Sequence, residues 1–185
     1  MNTQSKNKVL FVITNHEELG DTGKKTGYFL REVSYPYKAI TEAGYNIDFV
    51  SPKGGPTPMD PSSNDMDDEV NKAFTDDASI MNRLQNTMSP SEINPDNYDA
   101  IMYAGGHGTV WDFPDSEVLA TIAVSIYERG GVLGAICHGP AGLVNMKLKD
   151  GTYLVAGKRV ASFTDEEERA IELENVVPFL LASKL

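Results

Sequence analysis

The 185-residue chain carries a formal charge of −11, with 27 Asp and Glu against 16 Lys and Arg. Those basic residues are scattered rather than clustered, which excludes a nucleic-acid or anionic-membrane surface and points to a small or neutral substrate. A single Cys excludes an internal disulfide framework, no run approaches the roughly 18 apolar residues of a membrane helix, and the polar residues 1–7 lack a signal-peptide core, so one cytoplasmic domain is expected.

Residues 8–14 form a continuous apolar run of strand length, the pattern of a strand covered on both faces in a parallel sheet. Helical period follows at 32–43 and a second strand-like run at 46–50. Residues 51–68 are rich in Pro, Gly, Ser and Asp and read as a long surface loop. The acids from Asp60 to Glu69 lack the ligand order of a calcium loop, and His16-Glu17-Glu18 lacks the paired histidines of a zinc-protease helix. Helical period returns at 80–85 and 116–129, strands at 98–104 and 131–136, and weaker strand candidates lie at 153–155 and 159–161. A last helical segment covers 165–184. Alternation of strand and helix predicts an α/β three-layer sandwich with a mainly parallel sheet and chemistry in the loops that follow 8–14, 98–104 and 131–136.

The third of these loops carries the only cysteine. The apolar run breaks at Cys137 and restarts with helix-compatible residues, so Cys137 sits at a nucleophile elbow whose following helix N-terminus would favour a thiolate. After the preceding strand, Gly105-Gly106-His107-Gly108 lets backbone amides approach a developing negative charge, as an oxyanion hole requires. The order is not that of a dinucleotide loop. His138 follows the cysteine directly and is a candidate base, which needs a carboxylate to hold one tautomer. Asp165, Glu166, Glu167 and Glu168 are all placed for that role, and Thr164 with Glu167 reads as a capping box; spacing does not choose among them. Glu32 lies early in a helix on a face that is not clearly polar. Three His, none at ligand spacing with a cysteine, make a required metal unexpected.

Taken together, the segments 26–32, 45–55, 60–63, 105–114, 135–140 and 162–165 resemble the ThiJ/PfpI superfamily of glutamine-amidotransferase-like proteins, and within it the branch of heat-shock chaperones and glyoxalase III. The resemblance implies a flavodoxin-like sheet with Cys137 as nucleophile, His138 as its base, Glu168 as third triad member and Glu32 contacting the thiol. It further implies an oxyanion hole from the backbone of Gly105, Gly106 and His138, with His107 lining the pocket. The implied activity is glutathione-independent conversion of methylglyoxal to lactate through a cysteine hemithioacetal, without cofactor or metal, in a homodimer. A stress chaperone binding unfolded chains, a deglycase acting on glycated proteins and a cysteine peptidase or amidase are the alternatives within the same superfamily. Members of this branch continue past the position of Leu185 with a further strand and helix, so a single domain over 1–185 lacking them is expected, with the apolar run 176–182 left uncovered.

Overall fold

The computed structural model describes residues 7–185; residues 1–6, on which the reading of a signal-free N-terminus rests, lie outside that range. Four strands, β1 (Lys8–Val12), β2 (Asn46–Val50), β3 (Ala100–Tyr103) and β4 (Val132–Ala135), form one parallel sheet in the order β2-β1-β3-β4. The chain reaches β2 through helix α1 (Leu30–Glu42), β3 through α2 (Glu69–Asp76) and α3 (Ala78–Gln85), and β4 through α4 (Thr109–Asp112) and α5 (Glu117–Glu128). Short helices α6 (Asp165–Ala170) and α7 (Leu181–Lys184) follow the sheet.

The period of two along a strand sends alternate side chains of β1 to opposite faces. Val9, Phe11 and Ile13 pack with Leu30 and Val33 of α1, Phe74 of α2 and Leu84 of α3, whereas Leu10 and Val12 join Ile122, Ala123 and Ile126 of α5. Both faces of β1 are therefore covered, which is why the sequence shows a continuous apolar run there. Each fully buried side chain of this size contributes on the order of 2 kcal/mol, so the two clusters fix the three layers.

Four expectations need correction. Residues 153–155 and 159–161 form no strand; Tyr153 makes only an isolated bridge to Lys147. The expected helix over 165–184 is two short helices separated by turns, because Glu172 takes a left-handed backbone conformation (φ 60°). α2 lies in a segment without a predicted element, started by the Asp68 side chain accepting from the amides of Val70 and Asn71. The run 176–182 is only partly uncovered: Val177 and Leu181 are buried in the α5-side cluster and Phe179 and Leu180 pack half-buried against it, while Pro178 and Ala182 are exposed. Among the described residues, the large hydrophobic residue most exposed to solvent is Val132 at the start of β4, at 66%.

Candidate active site

The sheet's carboxyl edge brings together the ends of β3 and β4. After Ala135 the chain turns at Cys137, whose φ of 56° places a non-glycine residue in the left-handed region. Strain of this kind persists only where surroundings impose it, and here it lifts the side chain clear of the sheet. The element that follows is a short 3-10 helix, Gly139–Leu143, rather than the expected α-helix, so little helix dipole is available to the sulfur. The amides of His138 and Gly106 instead act on it as hydrogen-bond donors. Gly106 has a φ of 103°, and a side chain there would run into the backbone of Gly27 and Phe29. Gly105 lies between Cys137 and Glu32: an added Cβ would meet the Glu32 carboxyl and come within 2.8 Å of the Cys137 Cβ.

Cys137 Sγ lies 3.5 Å from His138 Nδ1, and His138 Nε2 lies 2.8 Å from Glu168 Oε2. The other carboxylate oxygen, Oε1, is 2.9 Å from His107 Nε2. The structure thus brings Cys137, His138, Glu168 and His107 into one chain of contacts, and of the four adjacent acids only Glu168 is buried and touches a histidine. Its neighbours do other work: Glu167 closes the capping box with Thr164, and Asp165 pairs with Ser183. Phe163, which the sequence did not single out, stacks on His138 with centroids 4.2 Å apart, and its amide donates to the Cys137 carbonyl at 2.8 Å. Its signals are its place in the segment 162–165 that carries the family resemblance and its position just before the capping box.

Glu32 arrives from α1, whose first turn is held from outside. Phe29 at the N-cap has no polar side chain, so the Leu30 amide donates to Ser63 Oγ at 2.9 Å, and Asp60 beneath it accepts from Thr26 Oγ1 at 2.8 Å. The motif Asp60-Pro61-Ser62-Ser63 therefore supplies the missing cap. Glu32 Oε2 is buried without a hydrogen-bond partner among the described residues.

Burial raises the Glu32 carboxyl above its ordinary range, opposed by the Cys137 thiol and by His107. Burial also pushes the Cys137 thiol up, and a Glu32 carboxylate adds to this, so the sequence-based expectation of a depressed thiol does not hold in the free site. Protonation of Glu32 removes that repulsion and turns its carboxyl into a donor toward sulfur. Burial alone would raise Glu168, but hydrogen bonds to His107 and His138 bring it down to about 2. Burial lowers His138, against the pull of Glu168, so a neutral imidazole faces the thiol near neutral pH.

These groups line a cavity of about 850 Å³ whose walls include Phe29, Glu32, His107, Cys137, His138 and Phe163. Among the described residues, His107, His138 and Glu168 have donor atoms within 4.8 Å of one another, close enough to hold a metal ion. An ion there would displace the two hydrogen bonds that orient the histidines.

The DJ-1/PfpI family model matches residues 26–176, a span that includes every one of these side chains. The chain belongs to the DJ-1/PfpI family. This DJ-1/PfpI chain is 32% identical over 181 residues to Glyoxalase 3 of Candida albicans, covering 92% of this chain and 74% of the relative. It is 33% identical over 177 residues to the glutathione-independent glyoxalase HSP31 of Saccharomyces cerevisiae, with the same coverage. Among solved structures, the Rapid Encystment Protein 24 KDa of Francisella tularensis superposes with a TM-score of 0.92 at 42% identity, over 96% of this chain and 79% of that one. Glyoxalase III of Candida albicans superposes with a TM-score of 0.87 at 31% identity, over 98% and 81%.

Proposed function

We propose that the chain is a glutathione-independent glyoxalase that converts a 2-oxoaldehyde such as methylglyoxal, with water, to the 2-hydroxy acid lactate. The observation that carries this reading is a cysteine held at a strained elbow, 3.5 Å from a buried histidine that is itself anchored by a carboxylate, in a cavity that Glu32 also lines. The names of the relatives support the same chemistry. The Cys137 thiol passes its proton to His138 Nδ1 and its sulfur adds to the aldehyde carbon. His138 returns the proton to the new oxygen, giving a hemithioacetal. Rearrangement moves the hydrogen on this carbon to its neighbour and yields a thioester, which water hydrolyses to lactate and the free thiol. The amides that act on sulfur, from His138 and Gly106, would serve as donors to the charge that develops on oxygen bound to the adjacent carbon.

Purified protein incubated with methylglyoxal without glutathione is expected to consume it and form an equal amount of lactate. Cys137→Ala is expected to show no turnover above the uncatalysed rate. Lactate formation by that variant, or none by the wild type, would overturn the reading.

A further inference from the structure

We infer that His107 is the base that moves the carbon-bound proton of the hemithioacetal, while His138 serves the sulfur; the inference rests on the glyoxalase reading above. Glu168 accepts at both of its oxygens, one from each imidazole Nε2. A carboxylate can only accept, so both histidines carry a hydrogen on Nε2, and in the neutral tautomer that this selects, Nδ1 is the lone-pair base of each ring. The two Nδ1 atoms have different surroundings. That of His138 faces the sulfur, in a ring that is 1% exposed and covered by Phe163. That of His107 has no partner among the described residues, in a ring that lines the cavity with 16% of its side chain exposed. The ring centroids are 4.2 Å apart and both rings line the cavity with Cys137, so a substrate bound to the sulfur would share that cavity with His107. Glu32, the other titratable group against the thiol, is raised by burial, which favours its protonated, donating form over that of a base.

The steps balance without an added reactant. In the hemithioacetal the carbon bonded to sulfur carries one hydrogen and one hydroxyl. His107 Nδ1 takes that hydrogen as a proton. The C–H electron pair becomes the carbon–carbon double bond of an enediolate, and the neighbouring carbonyl oxygen takes the negative charge. The imidazolium then gives the proton to the neighbouring carbon, while the hydroxyl proton on the first carbon passes to the enediolate oxygen. The product is the thioester of a 2-hydroxy acid on Cys137, and His107 is neutral again. Glu168 keeps its charge throughout and stabilises the imidazolium as it forms.

The test compares wild type, His107→Gln and His107→Ala with methylglyoxal and with its aldehyde-deuterated form, beside alkylation of Cys137 by iodoacetamide. His107→Gln is expected to lose roughly 10²- to 10⁴-fold in kcat and to show a larger deuterium isotope effect than wild type, with alkylation within about threefold. Added imidazole is expected to restore part of the turnover of His107→Ala, because the ring it replaces lines an open cavity. A kcat for His107→Gln within about fivefold of wild type would overturn the inference and leave the glyoxalase reading intact. Loss of alkylation in parallel with kcat, or no imidazole rescue, would also overturn it, since His107 would then act by positioning Glu168. Absence of lactate from the wild type would remove the glyoxalase reading and this assignment together.

Discussion

Two buried acids flank the Cys137–His138 pair, and the same burial leaves them in opposite states. Glu168, on α6, has an imidazole nitrogen within 2.9 Å of each of its oxygens and is brought down to about 2. Glu32, on α1, has a thiol and an unpartnered oxygen, and burial raises it. Desolvation is the largest influence on both, so the difference comes from the partners: two imidazole N–H donors outweigh burial at Glu168, and the single thiol at Glu32 does not. Groups pushed apart in this way divide the labour of a site, one as a fixed anion and one as a holder of a proton.

Replacing each acid by its amide tests that division. Glu168→Gln has one acceptor oxygen for two imidazole donors, so one histidine must lose its contact or change tautomer; kcat for lactate is expected to fall about 10³-fold. Gly105→Ala forces the Glu32 carboxyl and Cys137 apart, and a displacement of that size costs about 10²-fold. Glu32→Gln keeps a neutral donor beside the sulfur and is expected to lose only about tenfold. Steady-state kinetics with circular dichroism on each variant checks the series. Equal losses for the two amides would break the comparison, because both acids would then act as charges.

Stability should also respond to pH with opposite signs at the two acids. The folded Glu168 lies at about 2 against 4.5 for an ordinary Glu, so its stabilisation, roughly 3 kcal/mol, is present above 4.5 and is lost as pH falls toward 2. His138, lowered by burial from 6.5, begins the acid loss earlier, since the unfolded chain takes up that proton first. Glu32 is raised, so its contribution is full below 4.5 and is lost as pH rises through its folded value. Melting temperatures across pH are expected to show a shallower acid limb for Glu168→Gln and a flatter upper limb for Glu32→Gln. The same limb altered in both variants would mean that the two acids are coupled.

The sequence showed the sheet and the Cys137 elbow because both depend on neighbours along the chain: apolar runs, glycines and one broken strand. It showed the carboxylate only as a cluster of four acids, because the choice of Glu168 is made by which side of a short helix meets His107 and His138, across 61 and 30 residues. Resemblance to a family supplied Glu168 and Glu32 where spacing did not. The end of the chain was misread for a related reason. Periodicity over 165–184 counts apolar positions but does not show the left-handed turn at Glu172, which splits the helix and returns Val177 and Leu181 to the core. Neither the state of the thiol nor the role of Phe163 was legible, because both depend on contacts between distant segments.

The smallest effect expected separates what builds α6 from what aims Glu168. Thr164 Oγ1 accepts from the Glu167 amide at 3.1 Å, and Glu167 Oε2 accepts from the Thr164 amide at 2.8 Å, so both halves of the capping box are formed on a helix of six residues. Thr164→Ala removes one of them, at a cost of about 1 kcal/mol, which in a domain of this size lowers the melting temperature by roughly 2–4 °C. The Glu168 carboxylate is also held at its far end by the two imidazoles, and these contacts do not involve the cap. Turnover of the folded variant is therefore expected to stay within about threefold of wild type, far from the loss predicted for Glu168→Gln. Calorimetry and kinetics on the same preparation test this. A kcat that falls with Thr164→Ala as far as with Glu168→Gln would mean that the cap, rather than the histidines, sets the position of Glu168.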